Sequence, residues 1–203
     1  MIKNIKQEYL INKKNFLTAK IKGCKKFFEL NNYKLEQAYC EIILDNLKGA
    51  RKIFKELQDS DTRARWGLVM LDFIKGTVSI YPTYFELRNF LEIDLNILIM
   101  YYKGDYVEKI VRYADFMYTI NPEVHKFIGR VFLKNELKTQ AMFFLKRAKD
   151  YFYHDPELHY ILAEVYFEDG DFKLAKKALE TCLEILPQYA PATALLKEVS
   201  LKV

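Results

Sequence analysis

Hydrophobic residues recur three and four positions apart along most of this chain, with charged residues between them. That spacing predicts amphipathic helices. The segment EDGDFKLAKKALETCLEILP, residues 168–187, is typical, with a turn, an amphipathic stretch and a closing proline. The chain has only 7 glycines and 5 prolines, too few for the many tight turns of an all-β fold. We therefore predict an all-α protein.

The helical pattern repeats with a period of 34 residues towards the end of the sequence. Residues 122–155 align with residues 156–189 without a gap. Small residues fall on small ones and large on large: Pro122 on Pro156, Ile128 on Leu162, Gly129 on Ala163, Val131 on Val165, Ala141 on Ala175, Leu145 on Leu179 and Ala148 on Cys182. We expect paired helices to approach closely at the small residues, with the large ones filling the seam.

These residues resemble the tetratricopeptide repeat (TPR), a 34-residue helix–turn–helix unit. The last copy carries the likeness at Ala163, Gly170, Ala175 and Pro187. Glycine suits the left-handed turn after a helix, and proline ends the second helix. The resemblance implies an all-α, right-handed α-α superhelix of about five to six repeats followed by a C-terminal capping helix.

We expect one domain over residues 1–203, because no linker-like stretch divides it. Clear repeats are predicted over about 90–189, degenerate ones over about 1–89 and the capping helix over 190–203. Residues 101–123 repeat the Gly-Asp-Tyr turn in a unit about two residues short. Residues 37–57 carry Asp45 where the turn glycine should be, and Phe16 and Ala19 suggest a degenerate first unit.

Pro82 leaves two alternatives for the middle of the chain, because proline is tolerated in the first turn of a helix but not in its interior. Either a short second helix begins at Pro82, or one longer helix runs through YFELRNFLEIDLNILIMYY.

The net charge of +5 is unevenly distributed. Residues 1–26 contain eight lysines and one glutamate, a net charge of +7. Such a segment can attract RNA, DNA or anionic lipid, or it can simply be a solvated helix face.

No residue pattern indicates catalysis. Cys24, Cys40 and Cys182 have no paired spacing, which favours reduced thiols and a cytoplasmic location. His125, His154 and His159 lack metal-site spacing, and no phosphate-binding or nucleophile motif occurs. No apolar run reaches the roughly 20 residues of a membrane span. We therefore expect no enzyme activity, no metal and no cofactor.

The TPR resemblance implies a concave groove lined by the first helix of each repeat. Its usual positions fall on Asp94, Leu98, Tyr101, Tyr102, Lys126, Arg130, Lys134, Tyr160, Glu164 and Phe167. Lys126, Arg130 and Lys134 are four residues apart and would form one basic ridge on a helix. Either that ridge and the aromatic residues hold a partner peptide, or Arg130 pairs with Glu164 in the next repeat.

The leading hypothesis is a non-enzymatic interaction module whose groove binds a peptide or helix of a partner protein. One alternative is binding of single-stranded nucleic acid through the basic N-terminus and the groove aromatics. Another is a homo-oligomeric scaffold.

Overall fold

The computed structural model describes the backbone of residues 5–202 and the side chains of Lys14 and residues 17–202. Every regular element in that part of the chain is helical, so the predicted fold class is confirmed as all-α. The helices are α1 (Ile5–Leu30), α2 (Lys34–Ile43), α3 (Leu47–Leu57), α4 (Thr62–Lys75), α5 (Tyr84–Met100), α6 (Gly104–Val111), α7 (Ala114–Tyr118), α8 (Val124–Lys134), α9 (Lys138–Tyr151), α10 (Pro156–Glu168), α11 (Phe172–Ile185) and α12 (Ala190–Ser200).

The helices form two compact units that divide between Asn121 and Pro122. The first unit contains α1 to α7, and the second contains α8 to α12. In each unit, most helices that follow one another in sequence pack together. That residues 1–203 form a single domain, and that the repeats wind into a right-handed superhelix, stay predictions.

The second unit contains the two predicted helix hairpins, α8–α9 and α10–α11. The small residues Ala141, Ala163 and Ala175 are completely buried, and Ala163 of α10 packs in one cluster with Ala175 of α11. Cys182 is also completely buried, in a cluster with Ala163, Ala175 and Leu179. The cysteine therefore fills the position that Ala148 fills one repeat earlier, as predicted. Burial raises the pKa of its thiol.

The predicted capping helix is α12, which packs on α11 and buries Ala192 and Val199. It ends at Ser200, and Val203 lies outside the described residues. Pro187 follows the end of α11 by two residues and terminates that helix as expected.

One left-handed residue turns the chain in each helix hairpin. Gly170 does so between α10 and α11, with φ at 76°. The corresponding residues in the other hairpins are Asp45, Tyr102 and Glu136, with φ of 66°, 60° and 60°. The sequence alignment placed Gly104 at this position, which is wrong, because Gly104 is the first residue of α6. The true equivalent, Tyr102, comes two residues earlier, which explains why this unit looked two residues short.

The first unit departs from a regular tiling in two places. Its predicted first repeat is a single continuous helix, α1, without a turn between Ile5 and Leu30. Its predicted third repeat lacks a second helix, because α4 is followed by a loop and then by α5. A capping box formed by Thr83 and Glu86 starts α5 just after Pro82. The alternative of one longer helix is therefore the correct one.

Gly67 allows α3 and α4 to approach closely. A Cβ atom at Gly67 would lie 2.5–2.8 Å from ring carbons of Phe54, which is completely buried. Gly23, in α1, has no such neighbour within 4 Å. Both glycines therefore lie within helices, but only Gly67 lacks room for an additional methyl group.

We expect Gly67→Ala to destabilise the protein by about 1–3 kcal/mol, because overpacking a rigid ring outweighs the better helix propensity of alanine. Gly23→Ala is the matched control and should stabilise by about 0.5–1 kcal/mol. Urea unfolding followed by circular dichroism measures both changes. Equal effects of the two substitutions would contradict this account of the α3–α4 contact.

Candidate interaction surfaces

The first unit contains an open apolar groove of about 480 Å³. Its lining includes Phe28 of α1, Tyr39 and Ile43 of α2, and Ile97 and Met100 of α5. One wall continues into a buried cluster in which Ile21 packs with Cys40 and Ile43. Met100 is 56% exposed although it lines an apolar groove. Such a concave apolar surface is suited to receiving an apolar side chain.

A buried polar network supports this groove from behind. Asp94 of α5, which is 2% exposed, accepts hydrogen bonds from Trp66 Nε1 at 2.6 Å and from the Tyr39 hydroxyl at 3.0 Å. It also forms an ion pair with Arg63. Arg63 and Tyr39 both line the groove, and the Arg63 guanidinium lies 5.1 Å from the centre of the Tyr39 ring. The network thus fixes two side chains of the groove wall.

Burial is the main influence on the Asp94 carboxyl group and raises its pKa to about 6. The charge of Arg63 and the three hydrogen bonds offset only part of this effect. The pKa of the Tyr39 hydroxyl is also raised, first by burial and then by the neighbouring Asp94.

The four predicted groove residues of the first unit have different environments. Tyr101 is half-buried and lines the apolar groove. Tyr102 is half-buried at the left-handed turn. Asp94 and Leu98 are buried, so they stabilise the unit instead of facing a partner, which corrects their assignment. Asp94 lies on the side of α5 that faces α2 and α4, because its partners Tyr39, Arg63 and Trp66 belong to those helices.

The second unit buries the first residue of the predicted basic ridge. Lys126 is 3% exposed, and its Nζ lies 2.5 Å from Asp155, 2.8 Å from Glu123 and 2.9 Å from Glu157. Burial opposes the charge of this lysine, but the hydrogen bonds to its three carboxylate partners outweigh burial and raise its pKa. The assignment of Lys126 to a partner-binding ridge is therefore corrected.

The other groove candidates of the second unit are at least partly exposed, and their binding role stays a prediction. Arg130 pairs with Glu157 at 2.7 Å, whereas the sequence suggested Glu164 as its partner. Lys134 is exposed. Burial, followed by a hydrogen bond to the exposed Glu164, raises the pKa of Tyr160 to about 12.

Phe167 packs against Phe172 and lies under the ammonium group of Lys202, 4.7 Å from the ring centre. Its aromatic face is thus already in contact with a cation of the same unit.

Two of the three histidines are buried, whereas His154 is exposed. His125 and His159 occupy equivalent positions in the 34-residue alignment, and both are buried. His159 Nε2 lies 2.8 Å from the Tyr153 carbonyl oxygen, and burial lowers the pKa of the ring. Among the described side chains, those of Lys14 and residues 17–202, no group of three or more histidine, cysteine, aspartate or glutamate residues could hold a metal ion. None of the helices within residues 5–202 is long and apolar enough to span a membrane.

The lysine-rich N-terminal segment lies partly outside the residues that the structure describes. Lys3 lies outside the described residues, as do the side chains of Lys6, Lys13 and Phe16. Lys25 forms an ion pair with Glu41 of α2 at 2.8 Å. Part of the positive charge of α1 is therefore used in holding α1 on α2.

Neither a protein-family profile nor a curated protein matches this sequence. Among solved structures, the chain is similar to a thermophilic TPR protein of Thermus thermophilus. The two share 19% identity with a TM-score of 0.41, and the similarity covers 84% of this chain and 98% of the other.

The all-α hairpins, their 34-residue spacing and their small residues at the helix contacts fit one architecture. The described helices therefore fit a TPR-like helical repeat.

Proposed function

We propose that this TPR-like chain is a protein-interaction module and that its first unit binds a peptide or helix of a partner protein. The observation that carries the proposal is the open apolar groove between α1, α2 and α5. Its volume of about 480 Å³ falls within the usual range of pockets that hold a specific ligand. The proposal assigns no chemical reaction to the chain.

The surroundings of the groove favour a partner that presents apolar side chains. Phe27 and Tyr33 are more than half exposed and stack with their ring centres 6.3 Å apart. Each ring also contacts Phe28, which lines the groove. Exposed aromatic residues beside an apolar groove are typical of binding surfaces. An apolar side chain of a partner, inserted beside Met100, would remove its own surface and the apolar surface of the groove from water.

Glu36 adds a polar feature to this surface, since it is exposed and lines the groove. The other charged residue of the lining, Arg63, is paired with Asp94. A partner that carries a cation close to its apolar anchor would therefore complement the groove.

We expect a photoreactive phenylalanine analogue at Met100 to crosslink the full chain to a defined partner protein in lysate of its source cells. The same analogue at Phe143 of α9, which is equally exposed, is the control. Mass spectrometry of the crosslinked products identifies proteins captured only at Met100. Capture of the same proteins from both positions, or of a second copy of this chain alone, would reject the proposed groove.

Met100→Glu should weaken binding of the captured partner by roughly tenfold or more, because a charge at this position opposes burial of an apolar anchor. Titration of the purified partner against the natural protein and against the Met100→Glu variant measures the difference in affinity.

A further inference from the structure

Four lysines on α9 and α11 of the second unit differ from the lysines described above. They are Lys146 and Lys149 on α9, and Lys173 and Lys177 on α11. Within the described part of the chain, none of the four has an ion-pair partner, whereas Lys126 is surrounded by three carboxylates. The two helices together carry seven basic and three acidic residues. Their surface therefore has an uncompensated positive charge.

A groove of about 140 Å³ lies between these two helices, with part of α10 contributing to its lining. Lys149 lines it from α9, and Lys177 and Thr181 line it from α11. Leu162 and Tyr166 of α10 supply apolar surface. The lining thus combines one lysine from each of the two helices with apolar side chains of α10.

Three consecutive aromatic residues, Tyr151, Phe152 and Tyr153, are exposed where α9 ends. Tyr153 also lines the groove and is 48% exposed. The centre of its ring lies 4.8 Å from that of His159 and 5.7 Å from that of His154, and both pairs are arranged edge to face. These contacts fix the orientation of the tyrosine ring while leaving about half of its surface open.

We propose that the α9–α11 face of the second unit binds single-stranded nucleic acid. Lys149 and Lys177 contact backbone phosphates, and Tyr153 stacks on a base. Proteins that bind single strands without sequence preference combine these two features, a positively charged groove and an exposed aromatic ring. An acidic peptide would satisfy the lysines but would leave the exposed tyrosine face unused. This site is separate from the apolar groove of the first unit and from the basic N-terminal segment.

Fluorescence anisotropy tests the proposal with the full chain and a fluorescein-labelled 12-nucleotide oligouridylate. We expect binding at 20 mM salt that weakens steeply as salt rises, because each phosphate contact contributes about 0.7 to the salt slope for single strands. The double substitution Lys149→Glu and Lys177→Glu should weaken binding by at least about tenfold and reduce the slope by about 1.4. Tyr153→Ala should weaken binding roughly tenfold and leave the slope unchanged.

The matched control reverses two exposed lysines of α3, Lys52→Glu and Lys55→Glu, which gives the same change in net charge. Binding should be nearly unaffected. A milder pair, Lys149→Gln and Lys177→Gln, with circular dichroism on every variant, separates loss of contact from loss of folding.

Four results would overturn the proposal: no binding at 20 mM salt, an equal loss in the α3 control, equally tight binding of a 12-residue polyglutamate, or loss of binding only when Lys20 and Lys22 of α1 are reversed.

Discussion

Lys126→Met is expected to destabilise the protein by about 3–5 kcal/mol, because it removes the cation from a buried cluster of carboxylates. Asp155 is 6% exposed and would lose its buried ion-pair partner, the ammonium group 2.5 Å away. Glu123 and Glu157 are more exposed and can be hydrated by solvent. Most of the cost therefore comes from Asp155, which also caps the start of α10 through the backbone N–H of Leu158.

Lys134→Met is the matched control for this experiment. Lys134 belongs to the same helix and to the same predicted ridge, but it is exposed. We expect a change within about 0.5 kcal/mol, as is usual for surface substitutions. Urea unfolding followed by circular dichroism gives both values. Similar losses for the two variants would show that burial of the ammonium group is not the cause.

The pH dependence of the Lys126→Met effect provides a second test. The raised pKa of Lys126 means that its contribution to stability is complete at neutral pH and is lost only in strongly alkaline solution. Methionine does not titrate, so the destabilisation should decrease only in strongly alkaline solution, where Lys126 of the natural chain loses its charge. A destabilisation that stays the same when Lys126 loses its charge would contradict the electrostatic explanation.

The sequence was sufficient to predict the helix hairpins because their contacts are local. The turn at Gly170, the small residues Ala163 and Ala175, and the stop at Pro187 act within one repeat, so a 34-residue alignment reveals them. The continuous α1 could not be inferred in the same way. Phe16 and Ala19 match the repeat pattern, but the backbone makes no left-handed turn between Ile5 and Leu30, and the helix runs on.

The burial of Asp94 and Lys126 was missed because their partners are far away in the sequence. The repeat alignment assigns both residues to groove positions. It compares equivalent positions in successive repeats and does not show which distant residues contact them. Asp94 is neutralised by Arg63, 31 residues earlier, and Lys126 by Asp155, 29 residues later. One local signal was present, since Asp94 interrupts an otherwise mostly apolar helix. A charge in such a helix indicates either a buried partner or a functional site.

The apolar groove was only partly predictable. Tyr101 was among the predicted groove residues and does line the groove. Phe28 and Met100 also line the groove but are not among the predicted residues. The sequence pattern assigns α1 to a degenerate repeat, and Met100 is the last residue of α5. The arrangement of α1 beside α2 and α5 depends on packing that the repeat pattern does not contain.

The titration of Asp94 should make the stability of the chain fall as the pH rises from about 4 to about 6. Burial raises the pKa of this carboxyl group to about 6 in the folded protein, whereas an unfolded chain has the ordinary value near 4. Between these values the folded state holds a proton that the unfolded state has released. Stability therefore decreases with rising pH in this window and levels off above it.

Asp94→Asn isolates this effect, because asparagine cannot titrate. The stability of the natural chain relative to the variant should fall by up to about 3 kcal/mol between pH 4 and pH 7, since one pH unit corresponds to about 1.4 kcal/mol. Urea unfolding followed by the fluorescence of Trp66 measures it, because Trp66 donates a hydrogen bond to Asp94 and is the only tryptophan. A relative stability that stays flat or rises across this range would show that Asp94 is ionised throughout.

Asp72→Asn provides a control of opposite sign. Asp72 is buried as well, but hydrogen bonds from Ser79 and Arg51 outweigh the effect of burial and lower its pKa. Its contribution is present at neutral pH and is lost as the pH falls below about 4, so the stability relative to this variant should rise with pH in the acidic range. Both side chains are shielded from solvent, but burial dominates the pKa of Asp94, whereas the hydrogen bonds and the charge of its partners dominate the pKa of Asp72. Because Asp94 also positions Arg63 and Tyr39 in the groove wall, partner binding in the first unit should change over the same pH range in which Asp94 titrates.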